Sequence, residues 1–334
     1  MSTTVKCVEQ ARRLTRPGHL RREAPMDAEL PEPQLIASLA RRHYLEDVSK
    51  VQLAKEFGIS RFRIARLLAK GREEGIIRLE IIDPSTDLPM LSEPLASHLG
   101  LRYVRVIGSN GTDTDVRMQL GAMGAQLLGE LVKPGDNLGL GWGRTVAEVA
   151  KNFRYLPPIT VIQICGVLAA SHTPSPIDNI REAVLSANGY IHDLPVPFYV
   201  RSPEMRRQLF ENHSYVRGQF EHLDTALVSI GSWEHKETQL YREFPPSVRA
   251  RLDHVRPAGE LAGIWFDEAG RVLAPEVTRM CMTLETHHLS QTPRVIAVAA
   301  GVKKVSAILG AARTGLITGL VTDRDTAEAL LDAH

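Results

Sequence analysis

Residues 48–70 read VSKVQLAKEFGISRFRIARLLAK, and this stretch predicts two short helices joined by a tight turn. Gly58 suits the left-handed backbone of such a turn because it has no Cβ atom to clash. Ser60 follows with a hydroxyl that can cap the next helix. Apolar side chains then recur at helical spacing and predict a buried face, namely Ile64, Leu67 and Leu68. The pattern is typical of a helix-turn-helix.

The positive charge of this motif is concentrated after the turn. Residues 60–72 carry five basic side chains and no acidic one, although the net charge of the whole chain is only +1. A helix with this charge can contact both phosphates and base edges in the major groove of DNA. We therefore predict that operator DNA is contacted by Ser60, Arg61, Phe62, Arg63, Arg66 and Lys70.

The segments on either side of the motif complete a small domain. Residues 35–45 predict an amphipathic helix that covers its back. Residues 76–82 (IIRLEII) predict a short strand like the wing of a winged helix. We expect the DNA-binding domain to span residues 31–83, with a proline-containing linker at residues 84–91.

Residues 1–30 are expected to form a disordered tail. The first 25 residues contain six basic and two acidic side chains but lack the apolar core of a signal peptide. An Arg-rich, acid-poor segment also fits an organelle transit peptide, and Met26 is an alternative start.

Cysteine content and hydropathy argue against several classes of protein. The three cysteines are widely spaced and form neither a C-x-x-C pair nor a Cys/His cluster, which argues against a disulfide framework and a zinc site. No stretch approaches the roughly 18 consecutive apolar residues of a membrane span. We therefore expect a cytoplasmic protein with no metal, no cofactor and no membrane partner.

Residues 92–334 alternate short apolar strands with helices. Strands are predicted at 102–107, 137–142, 160–164, 226–230, 295–299 and 316–321. Helices are predicted at 115–131, 146–152, 180–189 and 325–333. This order predicts an α/β domain with a mainly parallel sheet.

The loop at residues 139–145, GLGWGRT, is the best candidate ligand site because it joins a strand to a helix. Its glycines let the backbone approach a ligand, and the helix that follows begins with free N–H groups. Its spacing is not the dinucleotide fingerprint, and no Walker lysine follows. We predict contacts to a phosphate, another anion or sugar hydroxyls from Gly141, Gly143, Arg144 and Thr145.

The ends of other strands supply further candidates, because open α/β sheets bind ligands at their carboxyl edge. Gly166 follows one predicted strand and Lys304 another. Asp323 also ends a strand, although we favour an N-cap role for it. Asp224 instead lies at the start of its strand. Cys165 is expected to be a small buried residue.

From about residue 34 to its end, the chain resembles the SorC/DeoR-type sugar-binding transcriptional regulators. The resemblance rests on LAKEFGISRFRIARLLAKGREEGIIRLEI in the first part, and on GLGWGRTVAEVA, VIQICG, VIAVAAGVKKVSAI and LVTDRDTAEALL in the second. It implies a winged helix-turn-helix followed by a Rossmann-like effector-binding domain similar to sugar-phosphate isomerases and deaminases.

The resemblance also implies roles for single residues. Gly143, Arg144 and Thr145 match the loop at the sugar or phosphate group, and Gly166 matches a glycine beside the ligand. Lys304 matches the lysine of a G-x-x-K-x-x-A-I pattern. Two acidic positions are matched by Asp224 and Asp267.

This chain departs from the family pattern near the ligand. Cys165 and Val167 replace a polar residue and a second glycine, which narrows the site. Ala300 also replaces one glycine of a usual pair. Polyols, free sugars and deoxynucleoside-derived phosphates therefore stay open beside simple sugar phosphates as the effector.

We predict a transcriptional regulator of a carbohydrate-catabolism operon that binds DNA as a homodimer or homotetramer and is not an enzyme. The alternative is a sugar-phosphate isomerase or deaminase with an accessory DNA-binding arm. That chemistry needs a general base near the substrate carbon. Asp224, Asp267 and Asp323 are the candidate bases, but none lies in a strand-end motif with a His or Lys partner.

Overall fold

The computed structural model describes residues 31–77, 87–108, 111–153, 156–169 and 175–333. The chain divides into two compact units, Met1–Ile82 and Asp83–His334. The predicted tail lies outside the described residues, as do residues 78–82 of the predicted wing and residues 84–86 of the predicted linker.

The N-terminal unit contains helices α1 (Glu32–Tyr44), α2 (Lys50–Glu56) and α3 (Arg61–Glu73). Gly58, between α2 and α3, has φ = 64°, so the turn does use the left-handed conformation. The hydroxyl of Ser60 accepts a 3.2 Å hydrogen bond from the backbone N–H of Arg63 and caps α3. Its apolar core comprises Leu35, Ile36, Leu39, Leu53, Phe57, Ile64, Leu67, Leu68 and Ile77.

Among the described residues of the C-terminal unit, ten strands form one sheet. They are β1 (Tyr103–Ile107), β2 (Asn137–Leu140), β3 (Thr160–Gln163), β4 (Tyr190–His192), β5 (Thr225–Ser232), β6 (Gly259–Leu261), β7 (Ile264–Phe266), β8 (Val272–Leu273), β9 (Arg294–Val298) and β10 (Gly319–Asp323). The order β1-β10-β9-β5-β2-β3-β4 is parallel throughout, as the alternating pattern predicts.

Helices precede, separate or follow these strands. They are α4 (Pro89–Leu99), α5 (Asp113–Leu131), α6 (Arg144–Asn152), α7 (Pro176–Ser186), α8 (Pro203–Asn212), α9 (Ser214–Gln219), α10 (Leu240–Glu243), α11 (Pro246–Val255), α12 (Pro275–Thr278), α13 (Thr286–Gln291), α14 (Val305–Arg313) and α15 (Arg324–Leu331). Among the described residues we find no helix with the length and apolarity that a bilayer crossing requires.

Both faces of the parallel sheet are buried. Ala226 and Val228 of β5 belong to one apolar core, whereas Leu227 between them belongs to a second core. Successive side chains of a strand point to opposite faces, so the two cores lie on opposite sides of the sheet. This explains why the strands read as continuous apolar runs.

The neighbouring strands β2 and β5 mark the point where the strand order reverses. After β2 the chain continues to β3 and β4 on one side, and after β5 it continues to β9 and β10 on the other. Ligands of open α/β sheets bind outside the carboxyl ends of the strands at such a point.

Several element boundaries differ from the sequence-based expectations. The strand predicted at 137–142 ends at Leu140, because the chain turns into α6 through the glycine loop. The helix predicted at 180–189 begins earlier, at Pro176, where proline fits the first helical turn. The short antiparallel strands β6, β7 and β8 were not predicted, and β6 pairs with the end of β5 through Ile230 and Leu261.

Candidate effector site and DNA-contacting helix

A cavity of about 500 Å³ lies at the carboxyl edge of the parallel sheet, beside the reversal between β2 and β5. It is lined by segments that follow β1, β2 and β9, by the end of β5 and the loop after it, by Glu260 of β6 and by Asp323 at the end of β10. The predicted Gly143, Arg144, Thr145 and Lys304 all line it. The structure therefore brings together residues that are far apart in the chain.

The glycine loop is shaped by its contact with β5. Gly143 has φ = 137°, and a Cβ atom there would lie 2.5 Å from the hydroxyl oxygen of Ser229. That hydroxyl donates a 3.0 Å hydrogen bond to the carbonyl oxygen of Trp142. Only glycine fits this close approach, so the first turn of α6 opens onto the cavity with Arg144 and Thr145 at its start.

Lys304 enters the cavity from the turn after β9. Its Nζ donates a 3.0 Å hydrogen bond to the carbonyl oxygen of Ile230. Burial and the nearby Arg144 guanidinium lower the pKa of Lys304, whereas Glu237 and Glu260 oppose this shift. The amine is thus held in a partly desolvated position between charges of both signs.

Glu260 is a cavity residue that the sequence analysis missed. Its side chain accepts hydrogen bonds from the Thr238 hydroxyl (2.8 Å) and from the backbone N–H of Gly263 (3.2 Å). The residue is only 2% exposed, and burial raises the pKa of its carboxyl group. No sequence signal marks it, because β6 is three residues long and carries no motif.

The cavity carries charges of both signs. Arg144 pairs with Glu237 at 4.0 Å, and burial and Arg144 lower the pKa of the half-buried Arg117. Asp323 caps α15 by accepting a hydrogen bond from the Thr326 backbone N–H, which confirms the N-cap role, and it also lines the cavity. Guanidinium and ammonium groups suit an anionic group, and carboxylates suit hydroxyls.

A smaller cavity of about 110 Å³ shares Trp142, Gly143 and Gln239 with the main cavity. The predicted Gly141 and Gly166 line it, together with the two residues that depart from the family pattern, Cys165 and Val167. Burial raises the pKa of the Cys165 thiol to about 12, so this cysteine is a neutral packing residue, as expected.

Asp224 and Asp267 line neither cavity. Asp224 accepts a 2.8 Å hydrogen bond from the backbone N–H of Asn137. Asn137 begins β2 and Asp224 directly precedes β5, so these two residues lie at the sheet edge opposite the cavity. Asp267 follows β7 and accepts a 2.7 Å hydrogen bond from Nε of Arg271. Both carboxylates accept hydrogen bonds from neighbouring residues, and neither lines the two cavities described here.

On α3 the predicted DNA-contacting residues separate into two groups. Arg61, Phe62, Arg63 and Arg66 are exposed, Phe62 by 73%, and the Arg61 guanidinium lies 4.9 Å from the Phe62 ring centre. Lys70 is also exposed, but it forms ion pairs with Glu32 of α1 and with Glu74. Those carboxylates raise the pKa of Lys70, so its ammonium group already has anionic partners.

Glu221, His287 and His288 are the trio of described side chains whose potential metal-ligand atoms all lie within 4.8 Å of one another. Nδ1 of His288 accepts a 2.9 Å hydrogen bond from the backbone N–H of Glu285. In neutral imidazole the proton is then on Nε2, which faces Glu221 at 3.2 Å. An Nε2–H bond leaves no lone pair for a metal, so the trio is a hydrogen-bonded cluster.

The family model "Putative sugar-binding domain" matches residues 83–332. The chain is 29% identical over 310 residues to the Sorbitol operon regulator of Klebsiella pneumoniae, covering 89% of this chain and 98% of that protein. It is 28% identical over 318 residues to the Deoxyribonucleoside regulator of Bacillus subtilis (strain 168), covering 92% and 99%.

Solved structures agree with these matches. The crystal structure of the full-length Sorbitol Operon Regulator SorC from Klebsiella pneumoniae has a TM-score of 0.67 at 27% identity, covering 90% of this chain and 99% of that one. The sequence matches and the structural similarity extend over both units, and the aligned relatives are transcriptional regulators. This chain therefore belongs to the SorC/DeoR-type family of sugar-binding transcriptional regulators.

Proposed function

We propose that this regulator binds operator DNA through α3 of a winged helix-turn-helix, and that a small molecule in the 500 Å³ cavity controls the binding. Residues 31–83 are the DNA-binding domain, residues 84–91 the linker, and residues 92–334 the effector-binding and oligomerisation domain. The protein acts in the cytoplasm as a homodimer or homotetramer, with no cofactor or metal.

The observation that carries the proposal is the charge of the cavity at the strand reversal. Arg144 and Lys304 present a guanidinium and an ammonium group, while Glu260 and Asp323 present carboxylate oxygens. A ligand that carries one anionic group and several hydroxyls satisfies both sets of groups. We therefore propose a phosphorylated sugar or polyol as the preferred effector, ahead of the free sugar.

On α3 we propose that Ser60, Arg61 and Phe62 lie nearest to the bases and that Arg63 and Arg66 contact phosphates. The exposure of the four residues 61–63 and 66 supports this role. We do not include Lys70 among the proposed DNA contacts, because its ammonium group forms ion pairs with Glu32 and Glu74.

A paired ligand screen tests the proposal. Thermal unfolding and DNA mobility shift are measured with matched pairs such as sorbitol and sorbitol 6-phosphate, or 2-deoxyribose and 2-deoxyribose 5-phosphate. We expect a phosphorylated member to raise the unfolding temperature and to change DNA affinity by about 5- to 150-fold. Stabilisation by free sugars alone would overturn the phosphate preference, and no response to any member would remove the cavity from the mechanism.

Two cavity residues could carry out the proton transfers that the alternative enzyme function requires. Glu260, whose carboxyl pKa is raised, and Lys304, whose amine pKa is lowered, both line the cavity. Such groups can move protons next to a carbonyl carbon. Turnover of pentose and hexose phosphates that disappears in Glu260→Gln would favour the enzyme, whereas binding without turnover favours the regulator.

A further inference from the structure

A third concave surface lies outside the two cavities described above. It encloses about 280 Å³ and is lined by Pro203, Arg206, Arg207, Phe210, Arg217, Arg279 and Glu285. We call this surface the arginine groove. It combines four guanidinium groups with one carboxylate, and none of its residues lines the effector cavity.

Two charged residues of the groove, Arg206 and Glu285, already have partners within the protein. Arg206 donates hydrogen bonds to the carbonyl oxygens of Cys281 (2.8 Å) and Thr283 (3.1 Å), and it pairs with Glu285 at 3.4 Å. Its side chain is only 16% exposed. Glu285, the carboxylate of the groove, is therefore already paired with Arg206, and Arg206 is itself held by hydrogen bonds to the backbone.

The other three arginines have no such partner. Arg207, Arg217 and Arg279 are exposed, and we find no hydrogen bond or ion pair from their guanidinium groups to any described residue. Glu204 and Glu211 share α8 with Arg207, yet the described ion pairs include neither of them. These three positive groups therefore line one small concavity in which the only carboxylate among the described lining residues, that of Glu285, pairs with Arg206.

Phe210 is a buried aromatic residue of the groove, and two of the arginines contact its ring. The Arg206 guanidinium lies 4.8 Å and the Arg217 guanidinium 5.8 Å from the centre of its ring. Both distances are in the range of cation–π contacts, which limit the rotamers of the arginines. Ordered guanidinium groups lose less conformational entropy when they bind a planar or tetrahedral anion.

We propose that the arginine groove is a second ligand site, which binds a small multivalent anion carrying two or more phosphate or carboxylate groups. A guanidinium group can donate two parallel hydrogen bonds to a phosphate or a carboxylate group. Three guanidinium groups therefore favour an anion with several such groups over an anion with one. A concavity of 280 Å³ accommodates a small molecule, whereas a DNA duplex presents a broad convex surface.

Isothermal titration of the full chain with pyrophosphate, citrate and inorganic phosphate at constant ionic strength tests this site. We expect pyrophosphate or citrate to bind about 10-fold more tightly than inorganic phosphate, and Arg207→Gln and Arg279→Gln each to weaken that binding about 10-fold. The side chains of Arg207 and Arg279 are exposed, so both variants are expected to fold, which thermal unfolding verifies. The comparison of pyrophosphate with citrate distinguishes a phosphate ligand from a carboxylate ligand.

Two control variants make the result specific. Arg251→Gln removes an exposed arginine of α11 outside the groove and is expected to leave pyrophosphate and citrate affinity unchanged. Lys304→Met removes any anion binding in the effector cavity, so the binding that depends on Arg207 and Arg279 should remain in this variant. The proposal is overturned if Arg251→Gln weakens binding as much as the groove variants, if no binding remains in Lys304→Met, or if the groove variants weaken only duplex DNA binding.

Discussion

Lys304 Nζ donates a 3.0 Å hydrogen bond to the backbone carbonyl oxygen of Ile230, which joins the turn after β9 to the end of β5. The ammonium group has three N–H donors, so this bond orients the group and leaves further donors for a ligand. Ile230 also pairs with Leu261 of β6, next to Glu260. One backbone position therefore organises both the cationic and the acidic parts of the cavity.

The Lys304→Met variant is expected to lose its response to a phosphorylated effector while keeping its affinity for DNA, because the change removes charge and donors from the cavity but not from α3. Thr145→Ala should act in the same direction. The measurement is DNA mobility shift with and without the sugar phosphate that stabilises the wild type. Lys151→Met, which removes a lysine paired with Glu148 on α6, is the control. A normal response in both cavity variants contradicts the proposed site.

Arg61→Ala is expected to weaken binding to selected operator DNA by about 1–3 kcal/mol and to relax sequence preference. Arg61 is the first residue of α3, and the N-terminal residues of a recognition helix lie nearest to base edges. Duplexes selected by the wild-type protein from a random pool supply the operator. An unchanged footprint and an unchanged sequence preference would show that α3 is not placed in the groove as proposed.

Arg66→Ala and Lys70→Ala are expected to differ in the salt dependence of DNA binding. Each phosphate contact contributes about 0.9 to the slope of log affinity against log salt concentration. Arg66→Ala should lower the slope by about 1, whereas Lys70→Ala should leave it unchanged because Glu32 and Glu74 hold the ammonium group. Equal losses of slope would restore Lys70 as a DNA contact.

Gly71→Ala is expected to destabilise the N-terminal unit. A Cβ atom at this position of α3 would lie 2.4 Å from Cγ2 of Ile36 and 2.7 Å from Cδ1 of Ile77. Overpacking costs about 1–3 kcal/mol, which outweighs the gain in helix propensity of about 1 kcal/mol. Hydrogen exchange of the α3 amide protons reports the local free energy of opening.

The same substitution at Gly129 of α5 is the matched control, because a Cβ atom there meets nothing within 4 Å. Gly129→Ala should raise the free energy of unfolding of its unit by up to about 1 kcal/mol through helix propensity alone. Faster exchange in Gly71→Ala together with higher stability in Gly129→Ala is the expected pair of results. Stabilisation in both variants would show that α1 and α3 are not in close contact at Gly71.

Glu260→Gln is expected to change the pH dependence of stability. Burial raises the carboxyl pKa of Glu260 above its ordinary value of 4.5, so the folded protein binds this proton more tightly than the unfolded chain does. Stability from this group is therefore present below the ordinary pKa and is lost as pH rises through the raised one. Glutamine removes the titration and can still accept from the Gly263 N–H while donating to the Thr238 hydroxyl.

Thermal unfolding at a series of pH values from the ordinary pKa of 4.5 upward measures this effect. The wild type should lose stability relative to Glu260→Gln as pH rises. Glu276→Gln, at an exposed position of α12, should follow the wild-type profile. A constant difference between Glu260→Gln and wild type at every pH would mean that the Glu260 carboxyl does not titrate differently in the folded state.

Local signals made part of this molecule predictable. The turn at Gly58 and the cap of α3 by Ser60 depend on residues within three positions of each other, so the sequence pattern contains all of their determinants. The parallel sheet was predictable for a related reason, since strands buried on both faces need continuous apolar runs. The glycine loop followed from its place between such a strand and a helix.

Contacts between distant segments were not predictable in the same way. Glu260 reaches the cavity only because β6 pairs with the end of β5, and its three-residue strand has no distinguishing pattern. Lys70 forms an ion pair with a carboxylate 38 positions away, and the local pattern of the helix does not reveal this partner. For Asp224, only the family resemblance indicated a site role, and its position at the start of a strand was already expected from the sequence.

The sequence by itself determined the elements, because helix caps, left-handed turns and buried strands are specified by residues that are near neighbours in the chain. It also placed Arg144, Thr145 and Lys304 at the ends of elements. Tertiary structure alone decided which of these ends face one another. Parallel pairing around the reversal between β2 and β5 collects them with Glu260 in one cavity, while it directs Asp224 to the opposite edge.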